Sequence, residues 1–370
     1  MSDITQIAVP GVLGLKPYQP GKPVEELERE YGISGAIKLA SNENPFGPSP
    51  LAVDAIRNAV TGINYYPDGY QLIAKLATRM QCNPACITLG NGSNDVLDMI
   101  ARAFLMPETN AVFSEKAFAV YPISTQAVGA QLNVARALPA DHVSAPYGHD
   151  LNAMSDAVNS KTRVVFIANP NNPTGTWLAM DDVKAFVLAL PKTVIAVLDL
   201  AYIEYIESAA VNEAVDWLKK CPNLIITRTF SKIFGLAGAR IGYSISSPEI
   251  ADFLNRVRHP FNANVMAIAG AIAALDDDEF IQKSIRANAD GLRAWENACD
   301  EVGLTFIPSK GNFVTIDFAR DASEVYAQLL RQGVIVRPLA NYGMPNHLRV
   351  TIGTASDNER AIAALKQVVA

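Results

Sequence analysis

The 370-residue chain is poor in cysteine and has no long uncharged apolar run. A low cysteine content argues against a disulfide framework and favours the reducing cytoplasm as the compartment. Cys82 and Cys86 are close in sequence, but no second Cys or His pair stands at ligand spacing, so we expect structural cysteines and no metal site. Without a basic segment leading into an apolar stretch, or about 18 consecutive apolar residues, we expect neither signal peptide nor membrane span.

An excess of positive charge is also missing. The 31 Lys and Arg residues and 37 Asp and Glu residues give a formal net charge of −6, and no run is rich in Lys or Arg. This balance argues against nucleic acid or an anionic membrane as a partner. Hydrophobic residues make up 49% and charged residues 18% of the chain, which is typical of a globular protein and excludes a disordered or collagen-like one.

Helix-period segments alternate with short apolar runs, which predicts an α/β fold with a largely parallel sheet. The apolar runs predicted as buried strands are 86–90, 110–113, 162–168, 193–199, 223–229 and 242–246. The predicted helices between them include 93–105, 118–128 and 180–190. We assign this pattern to a large domain over residues 45–255.

The order of predicted helices and strands changes in the last third of the chain. Long helices are predicted over 248–257 and 263–300, followed by strands over 312–318, 333–338 and 347–353. These elements predict a smaller α+β domain over 256–370, against which we expect the N-terminal arm, residues 1–44, to pack. A functional site is expected in the cleft between the domains, at the carboxyl ends of the large domain's strands.

The stretch TFSKIFGLAGAR places a lysine just past the end of a predicted buried strand. Thr229 and Ser231 flank Lys232, and Arg240 follows in the same stretch. The amine can form a Schiff base with an aldehyde cofactor, and the hydroxyls and the guanidinium can bind a phosphate. The alternative is a solvated lysine in a loop, and the segment alone does not decide between the two.

Two other strand ends carry side chains suited to the same cofactor. Asp199 ends the run TVIAVLD and can pair with a protonated pyridine nitrogen, while Tyr202 can bind a phenolic oxygen on the ring. Asn172, in the turn NPNNPTG, can reach that oxygen from another side. The alternatives are a helix N-cap for Asp199 and a plain Pro/Gly turn around Asn172.

The turn GNGSND at 90–95 follows a fourth predicted strand and opens a helix at Ser93 or Asn94. Glycines let the backbone approach a ligand, and the free N–H groups of a helix start can bind a phosphate. An empty, capped turn is the alternative.

Along the chain, the four motifs follow in the order GNGSND, NPNNPTG, Asp199 with Tyr202, and TFSK with Arg240. In this order they resemble the aspartate aminotransferase superfamily, and within it the histidinol-phosphate aminotransferases. The closer resemblance rests on LASNENPFGPSP, NYYPDGY, FSKIFGLAGARIGY and VIVRPLANYGMPNHLRVTIGT, and it runs over nearly the whole chain. It implies an enzyme that depends on pyridoxal 5'-phosphate. It also implies fold type I, with a mostly parallel seven-stranded sheet wound by helices and a smaller α+β domain.

The resemblance assigns roles to the matching residues. Lys232 would form the Schiff base and carry the substrate proton, with Asp199 and Tyr202 as the other catalytic residues. The residues implied to hold the cofactor are Ser93, Asn94, Phe118, Asn172, Thr229, Ser231, Lys232, Arg240 and Tyr66. Those implied to bind the substrate are Arg349, Arg337, Tyr18 and Asn172, and no metal is implied.

The implied reaction is a ping-pong transamination in histidine biosynthesis. L-Histidinol phosphate and 2-oxoglutarate would give 3-(imidazol-4-yl)-2-oxopropyl phosphate and L-glutamate. A single guanidinium, that of Arg349, suits both the α-carboxylate of glutamate and the phosphate of the other donor. Phe118 would stack on the cofactor ring, and Tyr66 would reach the cofactor phosphate from the other subunit, which implies a homodimer with shared active sites.

Two departures from the relatives and three alternatives accompany this interpretation. Leu200 stands where many relatives have a glutamate beside the catalytic aspartate, and Asn94 stands where they have another aspartate. The alternatives on the same fold are an aromatic amino acid aminotransferase and a decarboxylase of a phosphorylated amino acid. A non-enzymatic, cofactor-sensing regulator would carry a DNA-binding segment, for which the residues outside the motifs leave no room.

Overall fold

The computed structural model describes residues 4–17, 21–206 and 209–369, without the side chain of Ala209. The first helices of these residues are α1 (Ile4–Ile7), α2 (Pro10–Leu13), α3 (Val24–Tyr31), α4 (Pro50–Ala59), α5 (Tyr70–Met80), α6 (Ser93–Phe104), α7 (Val120–Ala127) and α8 (Leu151–Ala157). The later ones are α9 (Met180–Ala189), α10 (Ala209–Trp217), α11 (Pro248–Val257), α12 (Val265–Ala274), α13 (Asp278–Val302), α14 (Ser323–Arg331) and α15 (Ala355–Val369).

The strands fall into one large sheet and two small ones. Those of the large sheet are β2 (Ile87–Gly90), β3 (Asn110–Ser114), β4 (Gln131–Ala135), β5 (Thr162–Ala168), β6 (Ile195–Asp199), β7 (Leu224–Thr229) and β8 (Gly242–Ser246). The others are β1 (Ile37–Lys38), β9 (Thr305–Ile307), β10 (Phe313–Asp317), β11 (Val334–Ile335), β12 (Arg337–Pro338) and β13 (His347–Thr351). All six strands predicted for the large domain are confirmed, and the edge strand β4 joins them.

The seven-stranded sheet has the order β2-β8-β7-β6-β5-β3-β4, in which all pairings are parallel except the two made by β8. Its central strands are apolar along their length because helices cover both faces. In β5, Val165 and Ile167 point into the core on one face, whereas Val164 and Phe166 point into the core on the other. This arrangement confirms the predicted α/β class.

The antiparallel strand β8 brings two distant turns together. Its first residue, Gly242, pairs with Gly90 at the end of β2 and with Thr229 at the end of β7. A Cβ atom on Gly242 would lie 2.5 Å from the backbone nitrogen of Ser93, so only glycine lets the start of α6 approach this closely. The turn after β2 and the turn after β7 therefore lie side by side.

The region predicted as helical over 263–300 contains two helices. Helix α12 ends at Ala274, and α13 begins after Asp277, whose side chain accepts a hydrogen bond from the backbone N–H of Phe280. Such an N-cap satisfies a backbone donor that the first turn leaves unpaired, and it marks a new helix start. The predicted strand over 333–338 is likewise divided, because β11 and β12 belong to different sheets.

The C-terminal elements form an antiparallel sheet, β12-β13-β10-β9, which packs with α13, α14 and α15. The N-terminal segment reaches it through β1, which pairs with β11, and through Leu27, which packs on Leu330 and Ile335. Helix α2 instead lies against α7 of the large sheet, where a Cβ on Gly11 would be 2.1 Å from the carbonyl oxygen of Gln126. The domain limits given above stay predictions.

Gly235 closes the turn after Lys232 and provides a test of the packing there. Its φ is +68°, and a Cβ atom would lie 2.0 Å from the carbonyl oxygen of Gly47, whereas Gly303, with φ +70°, has nothing near that position. Gly303→Ala is expected to lower the free energy of unfolding by about 1 kcal/mol, the cost of a left-handed alanine. Gly235→Ala should lower it by about 1–3 kcal/mol more because of the added clash.

Denaturant unfolding of both variants measures the difference. Equal losses would contradict the prediction, since they would mean that the segment around Gly47 moves aside without cost.

Candidate active site

Three neighbouring parallel strands end at the same edge of the sheet. Ala168 of β5 lies opposite Asp199 of β6, and Asp199 lies opposite Thr227 of β7. The segments that leave these strands carry Asn172, Asp199 and Lys232, which therefore meet at one place, as the motif positions predict.

A cavity of about 520 Å³ opens at this edge. The predicted residues in its wall are Ser93, Asn94, Phe118, Asn172, Asp199, Tyr202, Thr229, Ser231, Lys232, Arg240 and Arg349. Unpredicted side chains also line it, among them Ser41, Asn42, Glu43, Tyr121 and Tyr342. The cavity thus combines groups from the large sheet, from the C-terminal sheet and from the segment that follows β1.

The amine of Lys232 lies inside this cavity. Its Nζ donates a hydrogen bond to the carbonyl oxygen of Ser41 at 3.2 Å and lies 5.7 Å from the centre of the Tyr202 ring. Removal from water, with a smaller contribution from the nearby charge of Arg349, lowers the pKa of Lys232 to about 8. A larger share of this amine is therefore uncharged near neutral pH than in an ordinary lysine.

Asp199 is buried and held by a residue that the motifs do not contain. The hydroxyl of Tyr121 donates to its Oδ2 at 2.8 Å, and the Tyr121 ring stacks on Phe166 at 4.7 Å. Burial raises the pKa of Asp199, and the hydrogen bond from Tyr121 opposes that rise. Oδ1 accepts no hydrogen bond of regular geometry from the described residues, so it is available to a hydrogen-bond donor on a ligand in the cavity.

Tyr202 is fixed by the segment after β1. Its hydroxyl accepts a hydrogen bond from Asn42 Nδ2 at 2.9 Å, and burial raises its pKa to about 12. Asn42 is itself held by Thr351, whose Oγ1 accepts from the Asn42 backbone N–H at 2.9 Å. The phenol therefore stays protonated over the physiological range and keeps one orientation.

An anion cradle forms where the turns after β2 and β7 adjoin. Helix α6 starts at Ser93 without a side-chain cap, so its first backbone N–H groups face the cavity. Arg240 Nη1 donates to Ser231 Oγ at 3.5 Å. At Gly92, where φ is +85°, a Cβ would lie 2.2 Å from Arg240 Nη2, so glycine is required for the arginine to sit there.

Arg349 of β13 enters the cavity from the C-terminal sheet. Its Nη1 donates to Asn172 Oδ1 at 2.5 Å and its Nη2 to the carbonyl oxygen of Ala40 at 2.8 Å, which orients the guanidinium. Arg337 lies directly opposite it on β12 and is buried, but it is not part of the cavity wall. Of the two arginines predicted to bind the substrate, the structure places only Arg349 in the cavity wall.

Two other predicted residues are not placed in the cavity. Tyr66 is 80% exposed and stacks on Phe261 at 4.4 Å, in a separate groove of the same chain. Tyr18 lies outside the described residues. Leu200 is fully buried in the apolar core, so its side chain is not part of the cavity wall.

Over the residues described, no helix is both long and apolar enough to cross a membrane. Within the same residues, no group of three or more His, Cys, Asp or Glu side chains could hold a metal ion.

Comparison with known proteins gives matches over the full length. The family described as "Aminotransferase class I and II" matches residues 34–365. "Histidinol-phosphate aminotransferase 2" of Pseudomonas aeruginosa is 54% identical over 100% of both chains. The structure of histidinol-phosphate aminotransferase from Sinorhizobium meliloti in complex with pyridoxal-5'-phosphate superposes with a TM-score of 0.88 at 30% identity, covering 98% of this chain and 97% of that one.

The fold is that of the pyridoxal-phosphate-dependent aminotransferases of fold type I. Aspartate aminotransferase of Thermus thermophilus shares this fold at 19% identity, with a TM-score of 0.81 over 98% of this chain and 99% of that one. The chain belongs to the class I and II aminotransferase family.

Tyr121→Phe tests the support of Asp199. The substitution removes the hydroxyl donor and keeps the ring that stacks on Phe166. Because the hydrogen bond lowers the pKa of Asp199, its loss raises that pKa, and the carboxylate becomes protonated at a higher pH as the solution is acidified. We expect the acidic limb of the pH profile of turnover to move to higher pH, and turnover at neutral pH to fall about tenfold.

Tyr326→Phe, which removes a hydroxyl outside the cavity wall, is the control and should leave the profile unchanged. An acidic limb that stays in place in Tyr121→Phe would mean that Tyr121 does not set the charge of Asp199.

Proposed function

We propose that this protein is a pyridoxal-phosphate-dependent transaminase of histidine biosynthesis. It converts L-histidinol phosphate and 2-oxoglutarate into 3-(imidazol-4-yl)-2-oxopropyl phosphate and L-glutamate. The observation that carries the proposal is the cavity in which the amine of Lys232, the carboxylate of Asp199 and the guanidinium of Arg349 face the same space. Full-length relatives at more than half identity, named for this reaction, support the choice of substrate.

The residues present fit pyridoxal phosphate. The cradle of Ser93, Ser231 and Arg240 suits its phosphate, and Asp199 Oδ1 suits a protonated ring nitrogen. Tyr202 and Asn172 are available to the ring's phenolic oxygen, and Phe118 to its face. When bound, the cofactor supplies a ring that delocalises the negative charge left at the substrate's α-carbon after its proton is removed.

Lys232 serves as nucleophile and proton carrier. Its pKa of about 8 leaves enough uncharged amine near neutral pH to attack an aldehyde and to accept a proton. The bond from Nζ to the carbonyl oxygen of Ser41 holds the amine inside the cavity.

Arg349 binds the anionic end of each substrate. Asn172 and the carbonyl of Ala40 fix its guanidinium plane, which a carboxylate or a phosphate can approach in bidentate fashion. One residue therefore serves both half-reactions.

The proposal includes a homodimer with shared active sites. Tyr66 does not line the cavity of its own chain, so a role at the cofactor phosphate requires a second copy. The exposed aromatic side chains of its groove, Tyr66, Tyr70 and Phe261, fit a surface that another chain covers. Location in the cytoplasm stays a prediction from the sequence.

A single turnover with separate donors tests the substrate. The purified holoenzyme is expected to lose its visible cofactor absorbance much faster with L-histidinol phosphate than with L-phenylalanine. Preference for phenylalanine would identify an aromatic aminotransferase, and release of carbon dioxide from a phosphorylated amino acid would identify a decarboxylase.

Lys232→Ala should abolish the band of the lysine-bound cofactor and lower turnover by about 10⁴-fold or more. Lys283→Ala, whose amine lies 4.2 Å over the Phe46 ring, should change neither.

Mixing two inactive variants tests the shared site. A Lys232→Ala subunit supplies Tyr66, and a Tyr66→Ala subunit supplies Lys232, so one of the two sites in each mixed dimer is complete. After subunit exchange we expect about a quarter of the wild-type activity, well above either parent. Activity no higher than the average of the parents, or a wild-type enzyme that is active as a monomer by sedimentation, would contradict the role of Tyr66.

A further inference from the structure

Glu43 is an acidic side chain in the active-site cavity for which the proposed reaction supplies no role. Among the described residues that line the cavity, the only carboxylates are those of Glu43 and Asp199. Asp199 is assigned to the cofactor ring. A second carboxylate repels the anions that this site must bind, so we expect it to have a specific partner of its own.

The backbone on both sides of Glu43 is fixed. Asn42 is almost fully buried and donates to the hydroxyl of Tyr202, while Asn44 donates to the carbonyl oxygen of Ile233 at 2.7 Å. The backbone that carries Glu43 is therefore held at a defined place, whereas 45% of its side chain stays exposed.

The carboxylate lies within electrostatic reach of the reacting centre. It raises the pKa of Lys232, against the larger lowering caused by burial and by Arg349. Its Oε1 also accepts a hydrogen bond from Lys38 Nζ at 3.0 Å. Lys38 is not part of the cavity wall, so Glu43 presents the charge that a bound substrate meets.

The proposed donor has two polar ends, and the cavity has two groups to match them. Arg349 suits the phosphate, and the imidazole ring offers N–H donors that a carboxylate accepts as strong, charge-assisted hydrogen bonds. A phenyl ring in the same place would strip water from the carboxylate and return no hydrogen bond. A carboxylate here therefore favours imidazole over phenyl.

We propose that Glu43 is a specificity-determining residue that accepts a hydrogen bond from the imidazole ring of the amino donor. This inference rests on the function proposed above and assigns recognition of the substrate's side chain to the Glu43 carboxylate.

The experiment compares L-histidinol phosphate with L-phenylalaninol phosphate, which keeps the amine and phosphate and replaces imidazole by phenyl. Glu43→Gln should lower kcat/KM for histidinol phosphate about tenfold, and Glu43→Ala about 100-fold. The value for phenylalaninol phosphate should stay the same or rise. The Kd of 3-(imidazol-4-yl)propyl phosphate, which lacks the amine, should rise in both variants, whereas that of 3-phenylpropyl phosphate should not.

Lys38→Met is the matched control, because it breaks the ion pair and keeps the carboxylate. It should retain the preference for imidazole. The half-reaction with 2-oxoglutarate, which has no imidazole, should not slow in the Glu43 variants. Equal effects of Lys38→Met and Glu43→Gln, or equal slowing of both half-reactions, would show that Glu43 supports the loop and would overturn the proposal.

The outcomes separate this inference from the proposed function. A wild-type enzyme that does not convert histidinol phosphate would overturn both. If the wild-type enzyme converts histidinol phosphate, but the Glu43 variants lose kcat/KM equally for histidinol phosphate and phenylalaninol phosphate, the role of Glu43 alone would be overturned.

Discussion

The parallel pairing of β5, β6 and β7 is the constraint on which the active cavity depends. Their register sets Ala168, Asp199 and Thr227 side by side, so the three segments that follow leave the sheet at one edge. A shift of one residue in β6 would turn Asp199 toward the opposite face, since side chains alternate along a strand. The apolar core on both faces of the sheet fixes that register, and the register in turn sets the positions of the site residues.

Charge inside the cavity is arranged around the lysine. Arg240 and Arg349 are both close enough to lower the pKa of Lys232, and Asp199 and Glu43 oppose them. In the proposed function the same arginines bind anions, so the groups that attract the cofactor and substrate also make the amine easier to deprotonate. Behind the cavity, the buried ion pair between Arg228 and Glu204 joins β7 to the turn after Tyr202. Loss of one partner would leave a charge in the core, which typically costs about 3–5 kcal/mol.

The sequence predicts most of the fold and the parts of the site that follow directly from a strand. Asp199 and Lys232 could be found because each stands next to a clear apolar run with its motif. Tyr121 could not, because its role depends on a hydrogen bond from α7 to the end of β6, and an aromatic residue in a helix gives no signal of that contact. Asn42 could not either, since its partners Tyr202 and Thr351 are far away in the chain. Strand β4 escaped prediction because Gln131 and Asn133 interrupt its apolar residues, and Leu132 and Val134 lie exposed at the edge of the sheet.

The hydrogen bond from Arg349 to Ala40 joins residues 309 positions apart. A ribosome that adds 5–20 residues per second takes roughly 15–60 s to synthesise the chain between them. The large sheet is complete in sequence at Ser246, so Lys232 and the anion cradle emerge well before Arg349, the proposed substrate-binding arginine. During synthesis, the groups proposed to engage the cofactor therefore exist before the guanidinium proposed to bind the anionic end of the substrate. The order of the chain from N to C terminus separates the two in time.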